Sequence, residues 1–210
     1  MTTRFKIDKM IDNSDNNTTT KDNNLFDLPM RLLFIAKTGD SKSTTLGSGS
    51  LSGDIKMNTI IEELEIPKQN TFSEFDNDML TIIYDMLVEQ FNENTENGIK
   101  DKKKLNSLII FDDLAFNDSF KDKGKNDGIK KVFFNGRKFL VSCIIISQKY
   151  SSISTSIREN ASGLVIGKAS NKQLELLEQD HNYLKTGKKA FRTMFRNATE
   201  KPFSKMIINF

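Results

Sequence analysis

Four short apolar runs constrain this chain more than any other feature: 31–36 (RLLFIA), 107–111 (SLIIF), 139–146 (FLVSCIII) and 163–166 (GLVI). Each has the length of a strand, is built from Ile, Val, Leu and Phe, and shows no alternation with polar residues. That pattern specifies strands covered on both faces, as in a parallel sheet. Residues 206–210 (MIINF) offer a fifth. Between them lie helical periods. In 78–91, Leu80, Ile83, Leu87 and Phe91 share one face; in 171–180, Leu174 and Leu177 turn inward and charges outward. Strands alternating with helices predict an α/β fold, a mostly parallel sheet flanked by helices.

The flanking segments read differently. Residues 1–24 contain NSDNNTTTKDNN and little apolar material after Met10, which predicts a disordered polar leader before one domain at 25–210. Residues 92–104 (NENTENGIKDKKK) lack periodicity and read as a surface loop. Composition removes several function classes. Lys+Arg 31 against Asp+Glu 28 is too balanced for a polybasic protein, so any nucleic-acid contact must come from local patches. A single Cys and a single His exclude a disulfide scaffold and a zinc cage of those residues. No run approaches the roughly 18 apolar residues of a membrane span, so the expectation is a soluble intracellular protein without a membrane partner.

The first apolar run leads into Ala36-Lys37-Thr38-Gly39-Asp40-Ser41-Lys42-Ser43-Thr44. A nucleotide phosphate loop reads G-x-x-x-x-G-K-[ST] between a strand and a helix, its backbone N–H groups cradling phosphate oxygens. Lys42 and Ser43 match: an ammonium for the β/γ-phosphates and a hydroxyl for Mg²⁺. Ala36 and Ser41 stand where the two glycines belong, and Asp40 adds a carboxylate beside the phosphates. A Cβ at a left-handed position costs about 1–2 kcal/mol. By itself the octamer also fits a polar strand-to-helix turn.

Two further strand ends carry chemistry. The run 107–111 ends in Asp112-Asp113, the pattern in which one acid holds Mg²⁺ and the next polarises the attacking water. An acidic turn after a buried strand is the plainer alternative. The run 139–146 ends at Ser147-Gln148, and an amide there can face the γ-phosphate and the lytic water. Arg158, at what reads as a helix end, suits either a finger reaching a neighbouring subunit's phosphate or a salt bridge to Glu159 or another acid. Ligands in open α/β sheets bind at the carboxyl ends of strands, where the Lys-Ser, Asp-Asp and Gln groups all fall.

Taken together, LPMRLLFIAKTGDSKSTTL, SLIIFDDLAFN, NGRKFLVSCIIISQKYSSISTSIREN and SNKQLELLEQDHNYL resemble the viral genome-packaging ATPases of the FtsK/HerA superfamily, the poxvirus-type and giant-virus or virophage motors. The resemblance covers most of 28–210. It implies a RecA/ASCE-like P-loop NTPase fold, with ATP and Mg²⁺ as cofactors. It also implies a homo-oligomeric ring that threads double-stranded DNA, without sequence preference, into a capsid at its portal vertex. The place of action would be the viral factory of the host cytoplasm, or the virion. Lys42 and Ser43 would be the Walker A pair, Asp112 and Asp113 the Walker B pair, Gln148 the sensor and Arg158 the trans finger. The chain departs from the family after Thr44: the Gly/Ser-rich stretch 45–54 (TLGSGSLSGD) stands where the family runs a helix and another strand, so both are expected to be missing. A relative that keeps the fold as a structural or nucleotide-binding subunit without turnover is the other reading.

Positive charge is local. One cluster is Lys185, Lys188, Lys189, Arg192, Arg196, Lys201 and Lys205; another is Lys121, Lys123, Lys125, Lys130, Lys131, Arg137 and Lys138, diluted by acids. Both suit phosphate contacts or ordinary solvated faces. Cys143 reads as a buried small hydrophobe, His181 as a helix C-terminal cap, and Tyr150 and Tyr183 as packing or rim residues.

Overall fold

The computed structural model describes residues 26–36, 67, 70–72, 74–100, 106–112, 127–182 and 187–210. All five apolar runs form strands: β1 (Arg31–Ile35), β2 (Ser107–Asp112), β3 (Val141–Ser147), β4 (Gly163–Ile166) and β5 (Met206–Asn209). They assemble into one sheet in the order β2-β3-β1-β4-β5. β3 pairs parallel with both β1 and β2, β4 pairs parallel with β1, and only β5 runs antiparallel. Among the described residues five α-helices accompany them: α1 (Asn77–Glu96), α2 (Asp127–Asn135), α3 (Thr155–Glu159), α4 (Asn171–His181) and α5 (Lys188–Ala198). The mixed α/β, mostly parallel architecture expected from the apolar runs is the one observed.

Successive strand residues face opposite sides of the sheet, and the two sides bury different sets. Leu33, Ile35, Cys143, Ile145, Leu164 and Ile166 join Leu80 and Tyr84 of α1, Ile129 and Phe133 of α2, Leu174 and Leu177 of α4, and Phe191 and Phe195 of α5 in one cluster. Leu32, Phe34, Ala36, Ile144, Ile146 and Val165 form a second cluster on the other face, against Phe26 and Met30. Every residue of β3 and β4 is buried, which is why these strands carry no alternation. β2 lies at the margin of the described sheet and leaves Leu108 and Ile110 half exposed. The segment in which a helix and strand are expected to be missing, like the predicted leader at 1–24, lies outside the described residues.

Local chemistry sets the helix ends. The Asp76 carboxylate accepts from the N–H groups of Asp78 and Met79 and starts α1. That helix runs to Glu96, five residues into the stretch expected as loop, because residues 92–96 pay no burial requirement there and simply continue its ladder. Ser154 caps α3 and Ser170 caps α4 in the same way. Two helices are not predicted by the sequence, and one of them takes up Gly128, whose glycine- and asparagine-rich surroundings suit a loop. α5 buries Phe191 and Phe195 behind its basic residues, and α2 begins at Asp127 immediately after a glycine- and asparagine-rich stretch.

Gly163 opens β4 where the Phe26 ring lies across the sheet, in the space a Cβ would fill. Gly163→Ala should therefore expel Phe26 from the second cluster and cost about 1–3 kcal/mol in denaturant unfolding. Unchanged stability would show that the ring contributes nothing there.

Candidate functional site

Parallel register determines which residues share the carboxyl edge of the sheet. Asp112 lies level with Ile146, and Ile35 lies level with both Ser147 and Ile166. Ladder bonds continue one residue further: the Ala36 N–H donates to the Ser147 carbonyl at 3.1 Å, and the Gly167 N–H donates to the Ile35 carbonyl at 2.9 Å. Asp112, Gln148, Ala36 and Gly167 thus emerge at one edge from four neighbouring strands. Strand spacing places the backbones of β1 and β2 about 10 Å apart, with β3 between them. That separation keeps the backbones at Ala36 and Asp112 out of direct contact.

Ala36 bears on the defective loop pattern. It is buried, its N–H is spent on the sheet, and the described non-glycine residues with positive φ are Leu140 and Phe203 alone. A left-handed backbone is therefore not demanded where the first glycine of the pattern is replaced, so Ala36 carries no strain of that kind. Lys37, Thr38, Gly39, Asp40, Ser41, Lys42, Ser43 and Thr44 lie outside the described residues, as does Asp113. Ser147 is buried beneath the edge, its hydroxyl 2.9 Å from that of Ser152, which holds the chain as it leaves β3 toward Gln148 and Lys149.

Arg158 is not brought to this edge in its own chain. The path from β3 to β4 descends through α3 to Ser162, whose N–H donates to the Arg31 carbonyl at the start of β1. Arg158 therefore sits at the amino edge of the sheet, 7% exposed. Its Nη2 donates to Thr155 Oγ1 at 3.2 Å, its guanidinium lies 5.0 Å from the centroid of the Tyr150 ring, and its Nε is 3.0 Å from Asp180 Oδ2, an ion-pair contact without hydrogen-bond alignment. The acid that neutralises it is Asp180 of α4, a pairing set by tertiary packing.

Tyr150 and His181 complete this cluster. Tyr150 is fully buried, and its hydroxyl donates to Asp180 Oδ2 at 2.9 Å. Having one proton, that hydroxyl then accepts from His181 Nε2 at 2.6 Å. The imidazole also stacks on Phe210, 4.6 Å between centroids. Tyr150 is thus a core anchor, and His181 a buried bonding partner at the last residue of α4. Burial lowers the His181 pKa below the ordinary 6.5, with Asp180 opposing and Arg158 reinforcing the shift. Cys143 is buried as expected, and desolvation pushes its thiol far up.

The basic clusters are partly spent on the fold. Arg192 Nε donates to Glu178 Oε2 at 2.8 Å, tying α5 to α4, and Lys131 pairs with Asp85 at 2.8 Å over the Tyr84 ring. Lys188, Lys189, Arg196 and Lys201 remain exposed around α5 and the turn after it, and Arg137 and Lys138 at the amino edge.

The family profile described as "Poxvirus A32 protein" matches residues 70–209, two thirds of the chain. The chain belongs to the poxvirus A32 protein family. Comparison with curated protein sequences gives no significant match. Among solved structures, the A32-family fold is similar to that of the genome packaging NTPase B204 from Sulfolobus turreted icosahedral virus 2. With B204 in complex with ATP-gammaS the TM-score is 0.52 at 8% identity, over 86% of this chain and 92% of that one. With B204 in complex with sulfate it is 0.53 at 10% identity, over 88% and 92%. With the DNA-packaging ATPase B204 from Sulfolobus Turreted Icosahedral Virus it is 0.50 at 12% identity, over 87% and 93%. At such identities the likeness is one of fold, and the fold is that of these P-loop ATPases. No described helix of this A32-family chain is long and apolar enough to cross a membrane.

The buried cluster makes two measurable predictions. Arg158→Ala and Asp180→Ala should each cost about 2–3 kcal/mol, below the full buried-pair range because Asp180 keeps some exposure, and the double mutant should cost less than their sum. Additive losses would show that the two side chains do not act as a pair. The unfolded chain protonates His181 near 6.5 while the folded chain resists it. This contribution to stability is therefore complete above that pH and declines as pH falls below it. A Tm series from pH 7.5 to 5.5 should show the decline, and His181→Gln should flatten it.

Proposed function

We propose that this chain is the ATP-hydrolysing motor subunit of a viral DNA-packaging machine. The observation that carries this reading is the in-register edge where Asp112, Gln148 and the phosphate-loop strand end side by side, in a chain that belongs to the A32 family. In this reading the triphosphate binds beyond Ala36, with Lys42 neutralising its β- and γ-oxygens. Asp113 polarises the attacking water and Gln148 orients it toward the γ-phosphate.

The donor set fits Mg²⁺. Asp112 offers a hard oxygen ligand at the right edge, and this ion typically takes one or two protein oxygens together with phosphate oxygens and water. Ser43 and Asp112 would hold it, and when bound it neutralises charge on the leaving phosphates.

The remaining roles belong to the assembly. A homo-oligomeric ring places the amino edge of one subunit against the carboxyl edge of the next, and Arg158 would serve the neighbour's phosphate only after leaving Asp180. The exposed Lys188, Lys189, Arg196 and Lys201 suit contacts with duplex phosphates that ignore sequence. The capsid at its portal vertex is the receiving partner, and the viral factory of the host cytoplasm, or the virion, the setting.

DNA-stimulated ATPase activity tests the proposal. Lys42→Ala and Asp112→Asn should each lower turnover by about 10²-fold or more. A wild-type chain no faster than Lys42→Ala would leave the fold intact and remove the motor.

A further inference from the structure

The same sheet edge continues past β1, in the direction away from Asp112. Gly167 follows β4 level with Ala36, and beyond it the turn from α5 enters β5 at Lys205 and Met206. The Lys205 side chain lies across Gly167, whose Cβ position is 3.3 Å from Lys205 Cδ, and the ammonium donates to the Phe203 carbonyl at 3.4 Å. The turn closes through the Ser204 N–H on the Lys201 carbonyl at 3.2 Å. Pro202 occupies its second position and Phe203 its third, with φ of +65°. That position, after a proline, is where a type II turn normally places glycine.

A phenylalanine held in left-handed backbone and 63% exposed carries strain without the burial that would compensate it. Strained, exposed positions of this kind concentrate where a ligand is gripped. The location says which ligand. With a γ-phosphate directed toward β3 and β2, the rest of a nucleotide extends from β1 across β4 toward β5. Those two strand spacings, about 10 Å, match the reach of a nucleoside.

We propose that the turn at 201–205 is the base-binding flank of the nucleotide site: the Phe203 ring stacks on the adenine, and Lys205 sits over Gly167 beside the sugar and α-phosphate. This rests on the nucleotide reading above and assigns the end of the ligand that reading leaves open. It also explains why a glycine follows β4, since a side chain at 167 would displace Lys205.

Titration calorimetry of the full chain with Mg²⁺ separates the two ends of the ligand, using ATP and inorganic tripolyphosphate as probes. Phe203→Ala should weaken ATP by roughly 5- to 100-fold and leave tripolyphosphate within about 2-fold, and Phe203→Tyr should restore ATP binding. Lys42→Ala should weaken both. Phe203→Gly, which relieves the left-handed strain, should raise Tm by about 2–4 °C while weakening ATP as the alanine does. ATP affinity unchanged in Phe203→Ala overturns the assignment and leaves the nucleotide reading standing. So does an equal loss for both probes, or a loss confined to retention of double-stranded DNA. A wild-type chain that binds neither probe overturns both.

Discussion

Insertion of β3 between β1 and β2 is the constraint on which the rest depends. Its backbone groups pair on both sides, so the two outer strands cannot slide relative to each other without breaking one ladder. Register then becomes chemistry: a one-residue slip would turn every side chain to the other face and move Asp112 and Gln148 out of line with Ala36. Complete burial of β3 enforces this, because unpaired amides in an apolar interior are costly.

The two edges of the sheet are built on opposite principles. At the carboxyl edge the chain leaves β1, β2, β3 and β4 with the polar or small residues Ala36, Asp112, Gln148 and Gly167. At the amino edge Arg158, Asp180, Tyr150 and His181 meet in a largely buried network of an ion pair and two hydrogen bonds. A network of that kind makes geometry rigid, since each member fixes the protonation and orientation of the next. It ties the crossover between β3 and β4 to the end of α4 and, through Phe210, to the last strand.

Polar residues divide along similar lines. Arg192 and Lys131 read as members of cationic patches, yet each has an acid across a helix boundary, Glu178 and Asp85. Glu178 is 4% exposed, so its bond to Arg192 locks α4 against α5, whereas the exposed pair of Lys131 adds little. Nothing in the spacing of Arg192 separates it from Arg196, one turn along the same helix. Its partner lies 14 residues away in sequence, on another helix. The α5 helix was legible in principle through Ala190, Phe191, Met194, Phe195 and Ala198, which recur at helical intervals, but the density of lysine and arginine drew the reading toward a surface.

Short-range physics explains what the sequence determined unaided. Short unbroken runs of β-branched and aliphatic residues favour strands, fully buried in β3 and β4 and half exposed along β2, and the acids, amide and lysine that follow them mark strand ends, because burial stops where charge begins. The five strands, α4, the inner face of α1 and the α/β class all follow from this. Tertiary structure alone decided the strand order, the half-turn of chain that carries Arg158 to the far edge, and the meeting of Tyr150 with Asp180 and His181, 30 and 31 residues away. It also laid the Lys205 side chain across Gly167, two residues after the strained Phe203. These depend on pairing between distant segments, whose free energy comes from burial shared across the whole sheet and is written in no local window of the chain.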